Sequence, residues 1–476
     1  MKSNLKDSLL RYNGVSYVLP FALVASCFAL WGFANDITTP LVEAFSKIFR
    51  MNVAQGALVL TAFYGGYFVM SFPAALFIRK YSYKAGVLLG LALYAIGALM
   101  FFPAKMIGTF GFFLVAYFVL TCGLSFLETS CNPYILTMGS RETATRRLNL
   151  AQCFNPIGAL AGMAVAMIYI QSCLNPADAD ERASWTTEVF NQVKDADLSV
   201  LIAPYLWIAA VIAVIFVLLC FLRIPERPKP AEDIKVLPSL KRLVGLKRYR
   251  EGVVAQFFYV GTQIMCWTFI IQYGKYVLLS DPSVMQSGIL QFGLSVLHVL
   301  DADTWAKIVS APAMTEAHAA IMSQMVNIMC MAMFCSSRFI CTYFMRFVSA
   351  GTLLTILAVC GVLLTTGVIV CGGVTGFYCL VGVSACMSLM FPTIYGIALE
   401  GLDEDAKFGA AGLIMSILGG SVLPPLQGAI MDAADKDGML GFLPAVNVSF
   451  ILPLISFVVV AWYGYRTLTN FGQSKA

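Results

Sequence analysis

Two acidic residues, Asp36 and Glu128, each stand inside a long apolar run. A charge at the centre of a bilayer-spanning helix costs about 2.5–3.5 kcal/mol on insertion scales, so an acid kept there marks a substrate or ion path. Glu128 belongs to TCGLSFLETSCNPYILTMGSRETATRRLNLAQCFNPIG, residues 121–158, in which Asn132-Pro133 follows one turn later and reads as a breakable point in the helix backbone. A basic loop, Arg141 to Arg147, leads into a second apolar phase carrying Asn149, Gln152 and Asn155. These amides are the candidate partners of the acid, and with Glu128 and Asn132 they offer the donors and acceptors that a polyhydroxylated ligand requires. Asp36 follows Asn35 in FALWGFANDITTPLVEAF and reads as a carboxyl that takes up a proton on one side and releases it on the other. The competing reading makes Asp36 the structural partner of a buried arginine, or the mark of a helix that ends early. Arg338, in CSSRFICTYFMR, is the base placed mid-span and the candidate charge partner; site and structural roles weigh equally for it.

The elements that carry these residues are helices in a membrane. The chain is 59% hydrophobic and 12% charged, with a mean hydropathy of +0.80, whereas soluble domains carry about 25% charged residues. No cleavable signal peptide is visible at the first apolar run. The fourteen cysteines lie in apolar segments without CxxC spacing, which reads as small-hydrophobe packing and leaves no metal site. His298 and His318 both fall in one segment outside the spans, which removes histidine catalysis in the membrane. Walker, HExxH and GxSxG motifs are absent, so ATP-driven transport and intramembrane hydrolysis lack their usual support, and the chain is not expected to be an enzyme.

Twelve apolar runs read as spans: about 16–43, 54–78, 85–103, 109–138, 148–173, 199–222, 252–278, 320–345, 350–371, 375–399, 408–431 and 444–466. Counting Lys and Arg by alternate loops gives 22 on the side of the termini against 8 opposite, which places both termini in the cytoplasm. A polar linker, 223–251, divides a six-span bundle over 1–222 from a second over 252–476. Its end, SLKRLVGLKRYR, reads either as a basic amphipathic helix on the anionic inner leaflet or as solvated linker. Residues 174–198 read as an acidic outer loop, and 280–318 as an extracytoplasmic insertion forming a cap or interfacial helix. The stretch MSLMFPTIYGIALEGLDEDAKFGAAGLIMSILGG repeats the order of residues 121–158, so the fourth and fifth spans correspond to the tenth and eleventh, with Met387 at the place of Glu128. Gly65-Gly66, Gly158, Gly162 and Gly419-Gly420 read as close helix contacts. This is the pattern of an all-α, twelve-helix major-facilitator fold, two pseudo-symmetric six-helix bundles with a site near the midplane between the halves.

FALWGFAND, AFYGGYF with the following SYKAG, GLSFLETSCNP, RLNLAQCFNPIGA, AQFFYVGTQIMCW and FPTIYGIALEGL together resemble the bacterial L-fucose–proton symporter family, within the fucose, glucose and galactose branch of the major facilitators. The likeness extends over nearly the whole chain. It implies that Glu128 takes part in sugar recognition and coupling, that the first-span acid, here Asp36, is tied to proton transport, and that Gln152 and Asn155 contact sugar. Asn132, Asn35 and Gln263 complete the candidate substrate-binding set. Asp36 comes about one helical turn earlier than the corresponding acid, and Phe391, after Met390, replaces a polar aromatic. The resulting expectation is a secondary transporter in the bacterial inner membrane that imports L-fucose, or a closely related hexose, with a proton by alternating access. It would act as a monomer in the lipid bilayer, without cofactor, metal or nucleic acid. A glucose/galactose or N-acetylhexosamine carrier, coupled to protons or sodium, is the alternative within the class, and a transporter-like sugar sensor the alternative outside it.

Overall fold

Lipid offers no hydrogen bonds to a backbone, so long apolar runs fold as helices that satisfy their own amides. The computed structural model describes residues 9–12, 15–51, 58–171, 173–175, 177, 181–182, 184–222, 236–311, 313–402, 405–433 and 439–469; the first part of the expected linker, 223–235, lies outside the described residues. Among the described residues, twelve helical spans are long and apolar enough to cross a membrane.

In order, these are α1 (Val18–Phe49), α2 (Leu58–Lys80), α3 (Tyr83–Leu99) continued by α4 (Phe101–Ile107), α5 (Phe110–Thr137), α6 (Ala144–Gln152) continued by α7 (Phe154–Val165), and α8 (Thr187–Phe221). After the short helix α9 (Val236–Gly245) come α10 (Lys247–Ser280), the pair α11 (Gly288–Leu300) and α12 (Ala302–Ser310), then α13 (Glu316–Phe344) and α14 (Ala350–Val370). The chain closes with α15 (Gly373–Met387) and α16 (Met390–Leu399), α17 (Ala406–Met415) and α18 (Gly419–Asp432), and α19 (Ala445–Val448) and α20 (Ile451–Thr469). Two two-residue antiparallel strand pairs, Arg11–Tyr12 with Val15–Ser16 and Met439–Leu440 with Leu443–Pro444, complete the elements. Compact packing defines two units, Met1–Leu243 with Leu399–Met415, and Val244–Ala398 with Ser416–Ala476.

Three expectations change. The outer segment 174–198 is not all loop, because α8 already starts at Thr187. Thr186 caps that start by accepting from the Val189 amide, and Glu188 stands in the first turn, where a carboxylate meets the positive end of the helix. The basic stretch before the seventh span is not one helix: α9 ends at Gly245, and Leu246 caps the start of α10 at Lys247. Pro133 does not interrupt α5, which runs unbroken to Thr137. A proline inside a helix costs about 3 kcal/mol, and here the lost backbone bond is offset by packing, since every residue from Leu120 to Ile135 is buried. The 280–318 segment is helical as its periodicity indicates; α11, at 13 residues, is too short to cross a hydrocarbon core of about 30 Å.

Within the first unit α1 packs on α7 at backbone distance. A Cβ added to Gly158 would occupy the space of the Ala29 carbonyl, and one on Gly162 would lie 2.6 Å from the Phe33 carbonyl oxygen. Within the second unit α10 meets α18 in the same way, with Gly419 against the Phe257 carbonyl. The repeat read in the sequence is therefore a repeat of helix contacts, and small residues carry it as they do where backbones approach closely in membranes. Of the Gly65-Gly66 pair only Gly66 is a close contact, against Thr121, whereas Gly65 faces open space.

Two buried arginines tie the chain beside α5 and α8. Arg147, fully buried, donates to the carbonyls of Ile135 (3.2 Å), Leu136 (2.9 Å) and Ser140 (3.1 Å) and to Thr143 Oγ1 (2.7 Å). It thereby satisfies the free carbonyls at the C-terminus of α5 and places a cation at the negative end of that helix. Arg182, also buried, donates to the Ala177 and Asn175 carbonyls and pairs with buried Asp197 at 2.7 Å, folding the segment before α8 back onto that helix. At a helix mouth outside the spans, Arg242 of α9 forms two 2.8 Å bonds to Asp405, whose carboxyl is held below its ordinary range by that guanidinium.

Arg147→Ala removes the guanidinium bonds to three carbonyls, of which Ile135 keeps the Met138 amide, and should lower stability by about 3 kcal/mol, read as a drop in the melting temperature of the purified protein in detergent. Arg147→Lys should also destabilise, because one ammonium cannot span the three carbonyls. Asp197→Asn, which strands the buried Arg182 guanidinium, should cost about 3–5 kcal/mol in the same assay. A folded-state pKa below the unfolded one means that the Asp405 contribution is present above the ordinary carboxylate range and lost as pH falls through the depressed value. The melting temperature of Asp405→Asn should therefore approach that of the parent on acidification.

Candidate functional site

In the first unit the predicted polar residues lie on α1, α5, α6 and α7. Glu128 sits on the fourth span with 6% of its surface exposed, and its carboxyl shares a side-chain hydrogen bond with Tyr67 of α2. Tyr67 is itself buried. The two helices are fastened beside this bond: Ser71 Oγ donates to the Tyr67 carbonyl (2.5 Å), Ser125 Oγ reaches the same carbonyl (3.2 Å), and the two hydroxyls contact each other at 3.2 Å. Gly66, against Thr121, allows the approach.

The amides expected as partners of the acid are arranged as a scaffold behind it. Asn132 Nδ2 donates to the Glu128 carbonyl (2.9 Å), and its Oδ1 accepts from Gln152 Nε2 of α6 (2.8 Å). Both are buried. Asn155, half-buried at the start of α7, donates Nδ2 to the Phe28 carbonyl of α1 (3.3 Å), while Asn149 donates to the Thr145 carbonyl of its own helix. The structure thus brings Glu128, Asn132, Gln152 and Asn155 onto neighbouring helices. The carboxyl's own partner, however, is a tyrosine.

Asp36 lies half-buried on α1, which continues through it to Phe49, so the helix does not end there. Asn35 provides its side-chain hydrogen bond, and Tyr64 of α2 lies within its electrostatic reach. Next to this stretch α1 is tied to α3 by Tyr94 Oη, which donates to the Leu30 carbonyl at 3.0 Å.

The remaining candidates belong to the second unit. Gln263 is half-buried on α10, one turn before Trp267, whose Nε1 donates to Ser384 Oγ (3.2 Å). Arg338 is 2% exposed, stacks on the Phe334 ring at 4.5 Å, and donates Nε to the Ser388 carbonyl at the end of α15. That is a helix-end role like that of Arg147. Met387, the counterpart of Glu128, is fully buried and its carbonyl accepts from Tyr259 Oη (3.1 Å). Phe391 stacks near Tyr395, with ring centroids 6.2 Å apart, and offers no hydroxyl of its own.

Tyr67 is not among the residues that the sequence singled out. The signal was available in AFYGGYF, where Tyr64 and Tyr67 stand three apart on one helix face next to a glycine that admits a neighbouring helix. Chemically, the first unit presents two carboxyls, several amides and two phenols in otherwise apolar packing. That set can hydrogen-bond a polyol and bind a proton. Among the described residues no group of three or more metal-capable side chains comes together.

Comparison with known proteins agrees with this picture. The L-fucose-proton symporter of Haemophilus influenzae is 46% identical over 459 residues, covering 94% of this chain and 96% of its own length. The L-fucose-proton symporter of Escherichia coli K12 is 30% identical over 464 residues, with 96% and 95% covered. A crystal structure of the transporter FucP in the outward conformation superposes with a TM-score of 0.78 at 29% identity, covering 94% of this chain and 98% of that one. Residues 24–424 match the family model described as Major Facilitator Superfamily. With twelve membrane-length helices and one glycine contact repeated in both units, the chain belongs to the Major Facilitator Superfamily.

Proposed function

We propose that this protein is a secondary active transporter that imports L-fucose, or a closely related hexose, together with a proton. The observation that carries the reading is the 46% identity to a curated L-fucose-proton symporter over 94% of the chain. The polar set of the first unit supports it. In this reading Glu128 recognises sugar hydroxyls, with Asn132 and Gln152 holding its backbone and Asn155 and Asn35 adding contacts. Within the second unit, Gln263 is the candidate polar contact and Arg338 a structural charge. A carboxylate accepts two hydroxyls, and such charge-assisted bonds are about twice as strong as neutral ones. Asp36 carries the proton. The excess of Lys and Arg on the side of the termini supports a chain inserted in the bacterial inner membrane with both ends in the cytoplasm.

One proton entering under 100 mV supplies about 2.3 kcal/mol, enough for about fiftyfold accumulation of the sugar. The test is uptake of labelled L-fucose into proteoliposomes with an inward proton gradient, with the gradient collapsed, and with excess unlabelled glucose or galactose. Gradient-dependent accumulation that resists glucose is expected; accumulation of glucose in place of fucose would overturn the substrate assignment. Asp36→Asn should equilibrate sugar rather than concentrate it. Glu128→Gln should weaken sugar binding about tenfold or more, as expected for loss of a charged acceptor worth about 1.5–3 kcal/mol.

A further inference from the structure

In the second unit, α11 has no part in the polar set described above, and its 13 residues include no Asp, Glu, Lys or Arg. Three sectors run along it. Ile289, Leu290, Gly293 and Leu297 are buried, and Gly293 faces α13: a Cβ added there would lie 3.4 Å from Met325 Cβ and 3.7 Å from Met322 Cε. The outward surface divides by chemistry. Phe292, Val296 and Val299, spaced i, i+4, i+7, form an apolar edge, with Phe292 60% and Val299 84% exposed. Gln291, Ser295 and His298, all exposed and at the same spacing one residue earlier, form a polar edge. That edge is held in place: Gln291 Nε2 donates to the Met285 carbonyl (2.9 Å), and the His298 ring lies 4.3 Å from the Trp305 ring of α12.

The contacts of α11 also set its depth. Met322 and Met325 follow His318, where the eighth span begins, so Gly293 lies about 6–10 Å along that span. A Cβ added to Gly288 would lie 3.4 Å from the hydroxyl of Tyr378, a residue about 7 Å into the tenth span, which begins at Gly373. Tyr378 is exposed, and so is Tyr276 at the end of α10, which Tyr273 Oη fastens to the Gly373 carbonyl at 2.8 Å. Exposed tyrosines at span ends form the aromatic belt of a membrane interface. α11 starts at that belt and runs beside the first turns of the eighth span, at the depth of interfacial helices, about 5–10 Å into the headgroup and acyl boundary.

We propose that α11 is an interfacial helix whose edge of Phe292, Val296 and Val299 packs on phospholipid acyl chains, while Gln291, Ser295 and His298 face headgroups and water. The leaflet is the extracytoplasmic one on the orientation proposed above; the lipid contact itself is independent of the substrate. The apolar edge continues the exposed surface that Leu279 of α10 and Tyr378 of α15 present to the membrane. A lid over protein would turn this edge inward, whereas Ile289, Leu290 and Leu297 already fill the inward face.

The experiment replaces Phe292, Val299 or Ser295, one at a time, by an environment-sensitive fluorescent amino acid through stop-codon suppression, which leaves the native cysteines and tryptophans in place. Each full-length protein is reconstituted into phosphatidylcholine nanodiscs, and quenching is read with lipid carrying a nitroxide high on the acyl chain and with aqueous iodide. The ratio of lipid to iodide quenching should be at least about threefold higher at positions 292 and 299 than at 295. Equal ratios at the three positions, with iodide reaching all of them, put both edges in water and overturn the proposal. Protection of 292 and 299 from both quenchers puts protein on the apolar edge, a second copy or another part of the chain, and overturns it as well. A high ratio at only one of the two apolar positions overturns the edge as a unit. Sugar uptake is not read, so failure of the transport reading leaves this outcome unchanged.

Discussion

A carboxyl buried between apolar helices is tolerated only where something hydrogen-bonds it, and the first unit is arranged around that requirement at Glu128. The partner comes from a neighbouring helix. Tyr67 fills the role, which requires α2 to lie against α5. Gly66 makes the approach sterically open, and Ser71 and Ser125 join the two backbones at the Tyr67 carbonyl. On the other side, Asn132 and Gln152 tie the same turn of α5 to α6. The acid is thus held by a network in which each polar atom has a packing reason to be where it is.

The second constraint is the helix end. Free carbonyls at a C-terminus inside or near lipid need donors, and a guanidinium supplies several from one side chain. Arg147 does this for α5, the helix of Glu128, and Arg338 does it for α15, which ends at Met387. Arg147 thus secures the end of the fourth span from the following helix, whereas Arg338, from α13, meets the break between α15 and α16 inside the tenth span. An arginine in a membrane protein invites reading as a substrate charge; here its carbonyl bonds give it a backbone task.

What the sequence made legible were exceptions to a simple background. Twelve apolar runs announce twelve helices because no other local structure satisfies their backbones in lipid, and Asp36, Glu128, Gly158 and Gly419 stand out because each is costly or odd in such a run. Features hidden from sequence were those decided by a partner helix. A tyrosine in an apolar run looks the same whether it faces lipid or a carboxyl, so Tyr67 did not stand out. Pro133 looked like a break because its missing amide is local, while the burial from Leu120 to Ile135 that keeps α5 whole is not. Polar composition disguised the start of α8 at Thr187 as loop. Arg147 counted toward topology, since nothing in a linear loop shows that its side chain folds back onto the preceding helix.

The repeat also separates packing from chemistry. Gly158 on Ala29 and Gly419 on Phe257 show both units using one helix contact, yet the place of Glu128 in the second is taken by Met387. A second acid there would incur the cost of burying another charge, about 2.5–3.5 kcal/mol, and would need a second network to hold it. A buried phenol of that unit, Tyr259, donates to the Met387 carbonyl at 3.1 Å, so an aromatic hydroxyl serves backbone where Tyr67 serves a carboxyl. Methionine fills the same volume with a flexible apolar chain and asks for no partner. The shared framework therefore tolerates one polar core without demanding two, and the acids can be confined to the helices of the first unit while the second keeps the same contacts for shape alone.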